Sequence, residues 1–592
     1  MRAGITAPEV RRRFHPRSGW LWVRRGLVFL GIVAIATHHE VAHWTSGWQL
    51  LFELSFMVLA VGLIALPWLG AHISGWHDDV APSLVCRAVV GVIIGGALCW
   101  WWWPASWLTS LFGTDDIRQV YALWWQLTIG IWGVLTLIDL FHQVSTRGWN
   151  PAILVVLSFA ALIAVGTVLL MLPIARNAPQ RADLLTALFT ATSAVCVTGL
   201  TVVDTGSYWS ATGQTVIMLL IQLGGLGMMT LGAFLSLLLG SGLQVRELQM
   251  LGDLLERQVL SEVRRLLIRI VLFTLTIEAC GAALLWSLWP DKPWEERLFF
   301  SLFHAISAFC NAGFSLLPRN FEGYGLSWQV WGVIPLLIIL GGLGFSVLDD
   351  LWVQLRRRCG FRVSRRKRTL SVSSRLVLVT TAALLIGGTL GYWVLEVQSN
   401  PASKPWLQLW AEAWFHAVSA RTAGFNVVDI GQLREPTWLW LMALMFVGAS
   451  PGSTGGGVKT VSIAVIVITL RMVLLQREEV EVFRRTIPRQ QVYRAALIVA
   501  LSAVILFSLT LALDLAENRP GRFLQLAFEV QSALATVGLS TGITPELTAP
   551  GRLIIILAMF VGRVGPLTLI LALRRTEQPE RYRYPEEHVI LG

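Results

Sequence analysis

Four glycines sit at near-equal intervals along the chain, and each closes a similar phrase. Gly199 ends "ATSAVCVTG", Gly313 ends "AISAFCNAG", Gly424 ends "AVSARTAG" and Gly538 ends "VQSALATVG". Their separations are 114, 111 and 114 residues. Each phrase carries Ser-Ala, then small or hydroxyl residues, then glycine followed by Leu or Phe. Glycine lets the backbone take dihedrals that turn successive carbonyls the same way. A ring of such carbonyls can replace the hydration shell of a monovalent cation inside a membrane without adding charge. The residues expected to supply it are Val197, Thr198 and Gly199; Asn311, Ala312 and Gly313; Thr422, Ala423 and Gly424; and Thr536, Val537 and Gly538. Their carbonyls, not their side chains, carry the expected chemistry. A glycine that merely permits close helix packing is the alternative for one loop. Four loops at regular spacing, each after a short helix, favour the ring.

A second stretch, "GASPGSTGGGVKT" (448–460), lies between two apolar runs. It nearly spells a phosphate-binding loop, but Lys459 comes one residue late and no strand precedes it. Pro451 and the glycines break a helix here. Lys459 at membrane depth costs roughly 2.5–3.5 kcal/mol on insertion scales. Arg563, in "MFVGRVGPLTL", is a second cation at the corresponding place in the fourth repeat. Snorkelling to an aqueous face is the alternative for both. "HEVAH" (39–43) fits a zinc-protease pattern through His39, Glu40 and His43, with no third ligand evident. His304 and His416 occupy matching places in repeats two and three, and read as packing residues or supports. Asp204, Asp429 and Glu322 could concentrate cations at an outer mouth.

The elements that must hold these loops are legible in the composition. The 592 residues are 55% hydrophobic and only 14% charged, with mean hydropathy +0.63. That excludes a soluble enzyme of this size and indicates a polytopic, all-helical membrane protein. The six cysteines form no CxxC pair, which argues against a disulfide framework or a zinc site. The net charge of +11 gathers in short basic runs at 11–25, 356–368, 483–490 and 574–584. Alternating with apolar spans, they place both termini in the cytoplasm and argue against nucleic-acid binding.

Residues 1–149 hold about four apolar segments, near 21–38, 48–70, 84–105 and 118–141, the first of them interrupted by Arg24 and Arg25. From 150 on the pattern repeats: a long span, a half-apolar segment, the glycine loop and a second span. The first spans lie near 151–173, 264–289, 374–396 and 491–515; the second lie near 213–240, 327–353, 437–470 and 551–573. The middle segments are shorter than the ~20 residues a bilayer needs and predict re-entrant helices. The expected units are an N-terminal region at 1–149 and pore repeats at 150–260, 261–368, 369–488 and 489–592 about a pseudo-fourfold axis.

With these loops, "GASPGSTGGGVKT" and the terminal "RYRYPEEHVILG", the chain resembles the Trk/Ktr/HKT superfamily of potassium transporters, most of all the bacterial Ktr-type membrane subunit. The resemblance covers about 150–592. Only the first loop keeps threonine directly before its glycine. The resemblance implies a potassium filter and an intramembrane gate at 448–460, formed by Gly452, Ser453, Thr454, Gly455, Gly456, Gly457 and Lys459 with Arg563 beside it. It further implies a homodimer in the bacterial inner membrane, a cytosolic ring of nucleotide-binding regulatory subunits, K+ as the transported ion and Na+ as a modulator. A sodium-permeable member of the same family is the alternative within the class.

Overall fold

The computed structural model describes residues 151–172, 175–177, 183–227, 260–359, 370–397 and 405–573, apart from 326 and 478. The four N-terminal apolar segments, "HEVAH" and the terminal basic run lie outside the described residues. What is described is almost wholly helical. The first quarter holds α1 (Pro151–Met171), α2 (Leu184–Val195), a single turn α3 (Thr205–Tyr208) and α4 (Ala211–Leu226). The second holds α5 (Leu260–Leu285), α6 (Trp294–Phe309), a π-turn at Gln329–Val333, α7 (Ile334–Leu343) and α8 (Phe345–Arg358). The third holds α9 (Val372–Val397), α10 (Trp406–Ser419), α11 (Glu435–Phe446) and α12 (Thr460–Leu474). A two-residue hairpin of β1 (Glu481–Val482) and β2 (Arg485–Thr486) leads to α13 (Arg489–Glu517), α14 (Phe523–Leu534), α15 (Ala549–Val564) and α16 (Pro566–Leu573).

Among the described residues three helical stretches are long and apolar enough to cross a membrane: Ile268–Leu288, Val372–Val397 and Arg489–Glu517. Their outer faces carry exposed apolar side chains such as Leu272, Ile386, Phe507 and Leu515, the pattern of a surface facing lipid. The short helices behave differently. α2 and α14 have 12 residues each, about 18 Å at 1.5 Å per residue, far less than a ~30 Å hydrocarbon core. Their last two turns are buried all round, and Phe189, Phe303, Phe415 and Phe528 lie fully buried at matching places in α2, α6, α10 and α14.

Each short helix packs on the first helix of its own quarter: α1 on α2, α5 on α6, α9 on α10 and α13 on α14. Each second segment packs on the short helix of the next quarter. α4 meets α6, α7 meets α10, α11 meets α14, and α15 returns to α2.

One expectation needs correction. The second segments near 213–240, 327–353 and 551–573 read as unbroken spans, with a break only at 448–460. The structure breaks every one of them. α4 stops at Gly227 (φ +80°), α7 bends 104° into α8 at Gly344 (φ +90°), and α15 gives way to α16 at Gly565 (φ +89°). A φ in that range cannot continue a right-handed helix, and it suits only glycine without strain.

Close approach also fixes glycines inside these segments. A Cβ at Gly224, Gly341 or Gly562 would run into the backbone of Val195, Phe309 or Leu534, the last residues of α2, α6 and α14. Gly341→Ala is therefore expected to cost about 1–3 kcal/mol through overpacking. Gly387→Ala, in α9 with nothing near its Cβ position, should stabilise by about 0.5–1 kcal/mol. Melting curves of the purified variants in detergent, shifting in opposite directions, check the pair.

Candidate functional site

The four short helices end within the glycine phrases, two or three residues before Val197, Asn311, Thr422 and Thr536, so their negative dipole ends face those loops. Each loop then follows the same backbone path. A non-glycine residue goes left-handed: Val197 (φ +55°), Asn311 (φ +59°), Thr422 (φ +70°) and Thr536 (φ +51°). Two residues on, the glycine does the same: Gly199 (+93°), Gly313 (+70°), Gly424 (+76°) and Gly538 (+95°). A bulky residue at positive φ is an outlier that surrounding structure must impose. Its recurrence in four loops marks a shared requirement. Alternating left- and right-handed residues brings successive carbonyls round to one side.

The loops touch in cyclic order. The space where a Cβ would sit on Gly199 is filled by the Ala312 carbonyl and Gly313; that on Gly313 by the Ala423 carbonyl and Gly424. Gly424 meets the Val537 carbonyl and Gly538, and Gly538 meets the Thr198 carbonyl and Gly199. The four glycines and the residue before each, eight of the twelve expected positions, thus meet in one closed ring. The side chains of Val197, Thr198, Asn311, Ala312, Thr422, Ala423, Thr536 and Val537 are fully buried, and none of them is charged. The Asn311 amide donates to the carbonyls of Ala308 and Ile338 (3.0 and 3.2 Å), with Thr422 Oγ1 3.3 Å away on its other side.

The repeated serine explains why Ser-Ala recurs. Ser193 and Ser532 Oγ each accept from the glycine amide of their loop (3.0 Å both). Ser307 and Ser419 instead donate to the carbonyls of Phe314 and Phe425 (2.8 and 2.5 Å), the residues after the glycine. Loops followed by Leu use the first bond, and loops followed by Phe use the second.

The stretch 447–459 joins α11 to α12 and lies against the ring. Its own backbone closes through Gly448 N to Val458 O (2.9 Å) and Ala449 N to Gly456 O (3.2 Å). Gly456 N donates to Thr536 Oγ1 (3.1 Å), and Gly455 lies against Thr422. The second quarter holds it too. Ser450 N and Thr454 N donate to the carbonyls of Gly342 and Gly341 (3.1 and 3.3 Å), and Phe345 N donates to Gly452 O (2.9 Å). Thr454 Oγ1 donates to Phe309 O (3.2 Å), and Ser453 Oγ to Ser450 O (2.7 Å). Arg563 bridges the Thr454 carbonyl and the Gly224 carbonyl at the end of α4.

Lys459 does not snorkel: its Nζ donates to Gly455 O (2.7 Å), four residues back in the same loop. Gly457 is left-handed (φ +69°), as is Gly452 (φ +66°).

Sequence reasoning missed the three other breaks. The signal was present as "GGLG" at 224–227 and 341–344 and "GRVG" at 562–565, with Arg563 standing where the first two have glycine. Of the acidic residues near the glycine loops, Asp204 and Asp429 are engaged locally. Asp204 caps α3 through Ser207 N (2.9 Å), and Asp429 accepts from Gly431 N (2.9 Å). Glu322 accepts from Asn426 Nδ2 (3.0 Å). Among the described residues no group of three or more His, Cys, Asp or Glu is placed to hold a metal ion.

Partial burial, and then the charge of Asp429, raise the Glu322 carboxyl above its ordinary value. A folded value above the unfolded one means that the folded protein holds its proton more tightly. Its effect on stability is therefore unfavourable once pH exceeds the raised value, and it vanishes in acid. Glu322→Gln keeps an acceptor for Asn426, so it should raise the melting temperature slightly at pH 8. The gain should disappear below pH 4, in parallel melts of wild type and variant.

Comparison with known proteins places this geometry. The family model described as TrkH, cation transport protein, matches residues 139–584. The Ktr system potassium uptake protein B of Bacillus subtilis is 41% identical over 449 residues, 75% of this chain and 97% of that protein. The potassium/sodium uptake protein NtpJ of Enterococcus hirae is 34% identical over a similar extent, 75% and 97%. The crystal structure of the potassium transporter TrkH from Vibrio parahaemolyticus shares the fold, with TM-score 0.58 and 16% identity over 88% of this chain and 97% of that one.

Proposed function

We propose that this chain, which belongs to the TrkH family of cation transport proteins, is the ion-conducting subunit of a potassium-uptake system. The observation that carries the reading is the closed ring of four left-handed glycine loops. Its carbonyls are neutral, converge from four sides and sit at the negative ends of four short helices. A potassium ion that sheds its water there meets oxygen ligands without an intervening fixed charge. The residues from Val197 to Gly199, Asn311 to Gly313, Thr422 to Gly424 and Thr536 to Gly538 form this filter.

The 447–459 loop is the gate in series with the filter. It lies against Thr422 and Thr536, and it is held by backbone bonds to α7 and by Arg563. Arg563 acts both as a strap and as a fixed positive charge on the ion's route. Opening then means releasing the loop from Gly341, Gly342 and the Arg563 bridge, while Lys459 travels with the loop.

The wider assembly we propose is the one that the family resemblance implies. The units are the N-terminal region 1–149 and repeats at 150–260, 261–368, 369–488 and 489–592. Two copies pair in the bacterial inner membrane, with both termini in the cytoplasm, where a nucleotide-binding regulatory ring acts on the gate and Na+ modulates it. The resemblance to a protein named for potassium and sodium uptake keeps sodium as the competing ion. Zinc proteolysis through His39, Glu40 and His43 has no support from the family.

Uptake in a host lacking its own potassium transporters tests the reading: expression should restore growth at low potassium, and failure to restore it would overturn the reading. Gly424→Ala adds a Cβ at φ +76° against the Val537 carbonyl. It should lower potassium uptake by about tenfold or more, because left-handed strain and overpacking each cost more than ~1 kcal/mol. Arg563→Gln, or deletion of 450–457, should raise flux several-fold in the resting state, and unchanged flux would sink the gate assignment.

A further inference from the structure

One position recurs in each short helix at a matching place before the glycine. It lies nine residues before the glycine in the first, second and fourth loops, and eight in the third, which is one residue shorter. Its occupants are Thr190, His304, His416 and Glu529, each directly after the buried phenylalanine and each 0–1% exposed. No shared residue type links them, so sequence comparison of the repeats does not group them. Their contacts do.

Glu529 reaches the outgoing chain of loop four with four hydrogen bonds. Its Oε1 accepts from Ser540 Oγ (2.7 Å), Thr541 N (2.9 Å) and Thr541 Oγ1 (3.2 Å), and its Oε2 from Thr544 Oγ1 (2.6 Å). His304 does the same in loop two with fewer bonds. Its Nδ1 donates to Phe300 O (2.8 Å), which leaves Nε2 as acceptor for Ser315 Oγ (3.1 Å) and Leu316 N (3.4 Å). The ring is held in place by Trp289 and Phe321, with centroids 5.2 and 5.3 Å away. His416 donates from Nδ1 to Glu412 O (2.8 Å) and stacks flat on Tyr392 at 5.2 Å. Thr190 Oγ1 is buried with no hydrogen-bond partner.

We infer that in the second and fourth loops this position clamps the chain after the filter glycine, which makes Glu529, and to a lesser degree His304, positioning residues for ion selection. The carbonyls of Thr198, Ala312, Ala423 and Val537 are fixed from one side by the short helix. On the other side they depend also on how firmly the outgoing chain is held. From this position four bonds to one carboxyl hold loop four most firmly, two acceptor contacts on one imidazole nitrogen hold loop two less, and the Thr190 hydroxyl adds no bond to loop one. The ring is therefore graded in stiffness around its circumference. This inference rests on the reading of the ring as a potassium filter.

The test measures potassium uptake, its inhibition by sodium, and the potassium-induced shift in melting temperature, on full-length protein. Glu529→Ala should raise the KM for potassium about tenfold, the factor that corresponds to losing roughly 1.4 kcal/mol of hydrogen bonding to a carboxyl. It should also weaken discrimination against sodium and abolish the potassium-induced shift. Glu529→Gln, which keeps an acceptor where three of the four bonds converge, should recover most of the loss. His304→Ala should show a smaller rise in KM, about threefold, and Thr190→Val should stay within about twofold of wild type. If Glu529→Ala and His304→Ala change only the amount of protein or the maximal rate, with KM and sodium inhibition as in wild type, the position is structural and the inference fails. An effect of Thr190→Val as large as that of Glu529→Ala would overturn the grading. Wild-type protein that carries no potassium would sink the underlying reading and the inference with it, a result distinct from either of the others.

Discussion

Backbone polar groups at membrane depth have no water to bond, and that constraint organises everything described here. A chain that leaves helical geometry there exposes amides and carbonyls costing several kcal/mol each unless they find partners. Among the described residues this chain leaves it in four glycine loops and four broken second segments. Each departure is tolerable because the others surround it. The loops pack glycine against carbonyl around a ring, and the broken segments offer their freed carbonyls to the 447–459 loop and to Arg563. No single break would be stable alone.

The same interdependence accounts for the cations. Lys459 and Arg563 would be costly in a plain apolar span. Here each donates to main-chain carbonyls that helix breaks have released, at Gly455, Thr454 and Gly224. Charge and broken backbone satisfy one another, so removing either leaves the other unpaired. That mutual dependence is the physical link between the end of α4, the 447–459 loop and α15, three elements far apart in sequence.

Much of this was legible before any coordinates. The glycine phrases, the short helices that lead into them and the long first spans follow from spacing and apolar length alone, and the four glycines with the residues before them meet in one ring. The breaks at Gly227, Gly344 and Gly565 were not legible, because a window of Leu, Ile and Val averages over one left-handed glycine and reads as continuous helix. Position 448–460 announced itself only because it is polar. The fate of Lys459 was equally hidden: an amine can fold back or reach out, and only the placement of the Gly455 carbonyl decides. Thr190, His304, His416 and Glu529 escaped notice as a set because what unites them is their place before the glycine, which residue type does not encode.

The third glycine loop lacks one residue that the other three possess, so that Ala423 N and Gly424 N both turn back to Ser419 O (2.9 and 3.3 Å), whereas the matching amides of Thr198, Ala312 and Val537 reach a serine five positions away. A ring assembled from four copies of one gene product would have to be identical at every corner, and any substitution would enter it four times. Carried on a single chain, the four corners are free to drift apart. One can shorten, another can take a carboxylate and a third a histidine, so natural variation can alter the ring a quarter at a time.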